Sequence, residues 1–408
     1  MTIVLVSHET ELPALDGMIA GEMAAERGAR FTTLVGGGAG LSHFDCVQHV
    51  LEHGELAPNG VLWAERASGH AVGAPVDRGA VARSEADIVL VPINPAIRAH
   101  ADAAGRIEAT ALAARRRVER YDVDERDGAF LVRPRGAADP IAAWRRDAFG
   151  RPVREGTPSP RGMGPSVTVL VIGDETLQRD VYPASVAALG DAAGASGIDV
   201  ALRFINPVGM AGPSWAAILA EVDGVVLPGG SDMEQVPGQI DVARAAIRAD
   251  VPTLGLCLGM QTMATAVAQE SGGFNDANLA EADPSAQTKT FVRLHDARGL
   301  PEFRLGRRTC RVEPGSILAD AVGGATHIDI RCNHRFVLNS ALHGGLAAGG
   351  LRISGWQSDR DIADAVEMPG HRFFLGLQGH PELSSRRDRP HPVFSAFLRA
   401  AGRRHKAG

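Results

Sequence analysis

The chain has 408 residues, 45% of them hydrophobic and 22% charged, and a formal net charge of -6. That length is too great for one ordinary core and predicts two domains or three, while the composition excludes a disordered chain and the charge excludes the clustered basic surface that nucleic-acid binding requires. Cys46, Cys257, Cys310 and Cys332 form no CxxC pair and no disulfide framework, which fits a reducing compartment; with no signal-peptide pattern and no apolar run of about eighteen residues, a cytoplasmic protein that contacts no membrane is expected.

At the N-terminus, "TIVLVS" (2–7) reads as a buried strand and "LPALDGMIAGEMAAERG" (12–28) as the helix after it. "FTTLVG", "GVLWAE" and "ADIVLVPI" are further strand candidates, and an Ala- and Arg-rich stretch from about Ala96 to Arg120 reads as a long helix. This alternation predicts a small α/β domain over residues 1–150 with mostly parallel pairing. "SHETE" (7–11) follows the first strand, near the edge where α/β sheets bind ligands, but an ordinary loop is the preferred reading. "VGGGAGLSH" (35–43) is glycine-rich yet lacks the lysine and hydroxyl pair of a phosphate loop. In "HFDCVQHVLEH" a helix would align Asp45, His49 and His53 on one face that suits a metal; a solvated face is commoner, and no metal is expected.

Residues 151–166 are crowded with Pro, Gly and Ser and read as a linker. A second α/β domain, 167–403, then opens with the strand "VTVLVIG" (167–173), a helix around Tyr182 to Ala193, and the strand "DVALRFI" (199–205). "DGVVLPGG" (223–230) is a strand that runs into a glycine pair, "GQIDVARAAIRAD" (238–250) has helical spacing, and "PTLGLC" is the next strand. Met260, Met263, Ala264 and Val267 fall at helical spacing, so Cys257 sits at a strand-to-helix corner between Gly255 and Gly259. Paired glycines at such a corner imply a sharp turn or a close backbone approach.

A corner of this kind is the geometry of a nucleophile elbow: the side chain stands at the end of the sheet, the helix N-terminus favours negative charge on it, and the next backbone N–H can face an oxyanion. The chemistry also needs a base and a group to orient it. "FFLGLQGHPELSSR" (373–386) supplies both, because His380 and Glu382 are two residues apart at a strand end and can point to the same side. A Cys257-His380-Glu382 triad is therefore expected.

"PGG", then "GLCLGMQ", then "GHPE" make this half similar to the class I (triad) glutamine amidotransferases, and above all to the glutaminase domain of CTP synthase. "NDANLAEAD", "RLGRRTCRV", "CNHRFVLN" and the stretch from "HPELSSRRDRP" onward extend the resemblance from about Val167 to Ala401. The resemblance implies a flavodoxin-like parallel sheet flanked by helices, Cys257 as nucleophile, His380 as general base and then acid, and Glu382 as the orienting carboxylate. It implies an oxyanion hole from the N–H groups of Gly229 and Leu258, and Gln261, Glu281 and Arg335 as ligands for the amino-acid end of glutamine, where a carboxylate suits the α-ammonium and a guanidinium the α-carboxylate.

Two departures bear on function. "GGSD" (229–232) stands where CTP synthases have "GGFG", which removes an aromatic and a glycine beside the substrate. Residues 1–150 contain no lysine and no G-x-x-x-x-G-K-[ST], and they are shorter than the synthase domain that the resemblance would require. The expectation is a glutamine-hydrolysing component that needs no cofactor for the glutaminase step, leaves ATP and Mg open, forms a homo-oligomer, and passes ammonia to an acceptor on its N-terminal domain or on a partner. Alternatives are a γ-glutamyl hydrolase or transferase that acts on another γ-glutamyl amide, and a non-catalytic binding module.

Overall fold

The computed structural model describes residues 2–36, 48–157, 166–210, 212–270, 274–359 and 361–405. The chain divides into two compact units, Met1–Pro160 with Thr176–Ala187, and Arg161–Glu175 with Ala188–Gly408. Among the described residues no helix is long and apolar enough to cross a membrane.

The first unit is built on a seven-stranded sheet. Arg30–Phe31, Ile88–Ile93, Thr2–His8 and Arg117–Arg126 pair in parallel, in that spatial order. Ala129–Pro134, Ala142–Arg146 and Pro152–Arg154 then extend the sheet antiparallel. Only half of the sheet therefore has the expected parallel pairing, and its last strand lies inside the stretch read as a linker. Ile3, Leu5, Val89 and Val91 pack against Ala103, Ala104, Ile107 and Ala111 of the helix Arg98–Ala113.

Several local expectations for this half are corrected. "GVLWAE" forms the helix Val61–Ser68, not a strand; Val61 to Glu65 are all buried, and a short apolar run buried on every side carries no period that separates strand from helix. The helix expected over 12–28 is confined to Met18–Glu26, and the one expected to reach Arg120 ends at Ala113, after which Arg115 turns with φ 55 into the next strand. His49 lies on the strand Gln48–Val50 of a hairpin, so it shares no helical face with His53; its Nε2 meets Glu65 Oε2 at 2.8 Å, both side chains buried. Asp45 and residues 37–43 of the glycine-rich stretch lie outside the described residues. Among the described residues no group of three or more His, Cys, Asp or Glu is placed to hold a metal ion. Ser7 and His8 end the first strand, and the rest of "SHETE" is a loop whose Thr10 exchanges hydrogen bonds with Asn94.

The second unit carries a nine-stranded sheet. Its five-stranded parallel part runs Asp199–Ile205, Ser166–Ile172, Gly224–Leu227, Thr253–Leu256, Phe374–Leu377. Ala363–Glu367, Arg352–Gln357, Arg304–Val312 and His327–His334 continue it antiparallel, an extension beyond the expected parallel sheet. The strands Gly224–Leu227, Thr253–Leu256 and Phe374–Leu377 are buried on both faces, as parallel strands covered by helices require. The helix Leu258–Glu270 packs onto them through Met260, Met263, Ala264 and Val267.

The glycine pair around Cys257 explains how close that packing is. A Cβ on Gly259 would overlap Leu227 O, and one on Gly255 would overlap Met263 Sδ and lie 2.8 Å from the Gly259 carbonyl. Backbone thus rests on backbone where the helix leaves the strand. We expect Gly259→Ala to destabilise the protein by about 3 kcal/mol or more, the upper end of overpacking costs because the obstructing atom is a carbonyl that cannot rotate away; urea unfolding measures it.

Candidate active site

Thr253–Leu256 and Phe374–Leu377 end side by side, with Leu256 opposite Leu377, and the Cys257 N–H continues the ladder to Leu377 O at 2.7 Å. There the first chain turns. Cys257 has φ 48, the left-handed region that a residue with a side chain enters at roughly 1–2 kcal/mol, and Leu258 begins the helix. The Gln261 N–H donates to Cys257 O at 3.2 Å, so the cysteine that ends the strand also opens the helix.

The second chain leaves its strand through Gln378 and Gly379. The Gln378 N–H donates to Asp364 O at 2.9 Å and the His380 N–H to Arg331 O at 2.7 Å, which fixes the backbone on both sides of Gly379. His380 Nδ1 lies 2.7 Å from Glu382 Oε1, and Glu382, in the short 3-10 turn Pro381–Ser384, is 4% exposed. The ring also hydrogen-bonds the Cys257 side chain; with Nδ1 engaged, Nε2 is the nitrogen left for the sulfur. Burial works against a charged ring here, but Glu382 and Cys257 outweigh it and hold the His380 pKa well above the usual histidine value.

Gly229 faces this pair. A Cβ placed on it would lie 3.3 Å from His380 Cε1 and 3.4 Å from Cys257 Cβ, so a side chain would wedge into the site. Leu258 is the first residue of its helix, and its N–H has no acceptor within that helix. Beyond Gly229, Asp232 turns inward to its own chain, accepting from the Glu234 N–H at 3.1 Å and from Gln235 Nε2 at 3.0 Å.

Gln261 is 5% exposed and donates through Nε2 to Gln378 Oε1 at 3.5 Å. Gln378 Nε2 in turn lies 3.6 Å from Cys257 Sγ. Sequence reasoning passed over Gln378, although its place directly after a strand paired in register with that of Cys257 marks it. Glu281 lies within electrostatic reach of Arg335 and Arg293: partial desolvation raises its pKa, and the two guanidinium groups pull it back. The Arg335 guanidinium lies over the Phe303 ring, 4.9 Å from its centroid. Arg335 follows Arg331, the residue paired with His380, by four positions, about 13 Å of extended chain. The structure thus gathers Cys257, His380, Glu382, Gly229, Leu258 and Gln261 at one point, and leaves Glu281 and Arg335 within electrostatic reach of each other.

Behind the site lies a buried ion pair, Arg304 Nη1 to Asp364 Oδ1 at 2.7 Å and Nη2 to Oδ2 at 3.2 Å, both side chains 1% exposed. His334, directly across from Arg304 in the antiparallel ladder, is held well below the usual histidine value by burial and by Arg304. Burial pushes Cys332 up to about 12 and Cys310 higher still, so neither is a neutral-pH nucleophile.

Residues 206–400 match the family model described as glutamine amidotransferase class-I. This second unit therefore contains a class I glutamine amidotransferase domain. It is similar in particular to CTP synthases: the chain is 36% identical to that of Acidobacterium capsulatum over 244 residues, 59% of this chain and 44% of that protein, and 32% identical to that of Nitrobacter winogradskyi over 290 residues, 68% of this chain and 52% of that protein. A solved Trypanosoma brucei CTPS glutaminase domain with bound acivicin superposes with a TM-score of 0.55 at 26% identity, covering 58% of this chain and 94% of that one. The chain spans about half the length of the curated relatives it matches.

The raised His380 pKa has a consequence for stability. A histidine whose folded pKa lies above its unfolded value of about 6.5 adds stability that is complete below that value and is lost as pH rises through the folded one. We expect the pH-dependent part of the stability gap between wild type and Glu382→Gln to be widest at about pH 6 and to close as the medium becomes alkaline, read from urea unfolding across that range.

Proposed function

We propose that this protein hydrolyses glutamine to glutamate and ammonia and hands the ammonia to an acceptor reaction. What carries the proposal is His380 set between the Cys257 side chain and the Glu382 carboxylate. As Cys257 Sγ attacks the glutamine carboxamide carbon, its proton passes to His380 Nε2, and Glu382 steadies the imidazolium through Nδ1. The carbonyl oxygen becomes an oxyanion that accepts from the Gly229 and Leu258 N–H groups. His380 then returns the proton to the departing nitrogen, the C–N bond breaks, and ammonia leaves a γ-glutamyl thioester on Cys257. Water, losing a proton to His380, attacks the thioester; the C–S bond breaks and the thiol is restored with glutamate. No cofactor enters these steps. Glu281 is assigned to the α-ammonium, Arg335 to the α-carboxylate, and Gln261 to the same end of the substrate.

The acceptor lies on the first unit or on a partner protein. Residues 1–150 hold neither the phosphate-loop motif nor any lysine, so CTP formation by this chain alone is not part of the proposal. One observation favours a second reading: Ser231 and Asp232 replace the aromatic and glycine of CTP synthases, and the Asp232 side chain is spent on its own turn, leaving the pocket altered where the substrate chain passes. A γ-glutamyl amide other than glutamine would then be the substrate of the same chemistry.

Glutamate release from glutamine, followed in a coupled assay, tests the proposal. We expect Cys257→Ala to lower it by about 10⁴-fold or more, as removal of a nucleophile does elsewhere, and acivicin to inactivate the wild type while adding to Cys257. Turnover of other γ-glutamyl amides without glutaminase activity selects the second reading; a wild type that hydrolyses neither, even with candidate partners added, overturns both.

A further inference from the structure

Gln378 is wholly buried, with 0% exposure, yet carries a polar amide. An aliphatic side chain would fill that volume without the desolvation that a buried amide brings. Both ends of the amide are used. Oε1 accepts from Gln261 Nε2 at 3.5 Å and Nε2 lies 3.6 Å from Cys257 Sγ. The backbone beneath it is anchored on Asp364 O, and Asp364 is locked in the buried pair with Arg304. Because Gln261 donates to Oε1, the NH2 end faces the sulfur; the reverse orientation would set a carbonyl oxygen against an atom that becomes negative when its proton moves to His380.

We propose that Gln378 is a positioning residue for Cys257, donating an N–H to Sγ so that the sulfur anion formed on proton transfer to His380 is held at one place by a fixed dipole as well as by the imidazolium. The inference rests on the nucleophile reading of Cys257 and deepens it. It also gives Gln261 a part that precedes substrate: Gln261 orients the amide that orients the sulfur.

The test uses the full chain and iodoacetamide, which needs no glutamine pocket. Carbamidomethylation of Cys257 is followed by peptide mass spectrometry, which separates it from Cys46, Cys310 and Cys332, in wild type, Gln378→Met and Gln378→Glu. We expect the rate at about pH 7 to fall about tenfold in Gln378→Met and further in Gln378→Glu, as loss of a hydrogen bond to a charged acceptor does, with the deficit closing by about pH 10, where thiols in general are ionised. A deficit equal at every pH, or none, overturns the inference and leaves a merely structural glutamine. Wild-type Cys257 inert throughout overturns the nucleophile reading instead. If neither Gln378 variant folds by circular dichroism, Gln261→Met decides, since it keeps Gln378 and removes only the donor that orients it: a deficit of about threefold near neutrality that closes in alkali supports the inference, and equal rates overturn it.

Discussion

One backbone hydrogen bond, from the Cys257 N–H to Leu377 O at 2.7 Å, sets the geometry on which the site depends. It is the last rung between two parallel strands that are far apart in sequence and adjacent in the middle of the nine-stranded sheet, where its parallel part ends. Because the rung fixes register, it decides which residues follow each strand into the site: the elbow on one side, Gln378 and then His380 on the other. A slip of one residue would turn every side chain of the strand to the opposite face. Burial of both strands on both faces makes such a slip costly, so the meeting of sulfur and imidazole is a property of the core.

Charge around this point is sorted by neighbours. His380 and His334 both lie beside the ladder's end, and burial disfavours the charged form of each. His380 has a carboxylate and a thiol for partners and leans to the protonated state; His334 has Arg304 across the ladder and stays neutral. With burial common to both, the difference lies in these partners, and the Arg304 guanidinium that acts on His334 is itself held by two contacts to Asp364. The same aspartate anchors the backbone of Gln378, so one buried pair serves both the electrostatics and the placement of the site.

How much of this was legible in the sequence differs between the two halves, for physical reasons. Around Cys257 the signals were local and agreed with one another: an apolar run, a glycine on either side of one cysteine, helical spacing beyond it, and a histidine and glutamate two apart. The first unit offered no such agreement. Val61 to Glu65 are buried on all sides as a helix, and a fully buried run loses the period that tells strand from helix. The strand Arg117–Arg126 is mostly half-buried or exposed and rich in charge, so Arg117 and Arg120 read as the end of the preceding helix when no partner strand is known. Gln378 was missed because its meaning lies in register, and register is a tertiary fact.

The tight seat of the Gly255–Gly259 corner on Leu227 divides the unit into a part that cannot drift and a part that can. Where peptide groups touch one another directly, no pairwise exchange of side chains can compensate a larger residue, so descendants of this chain must keep that corner whatever molecule they come to act on. Substitution has more room in the turn after Gly229, where Ser231 and Asp232 are exposed.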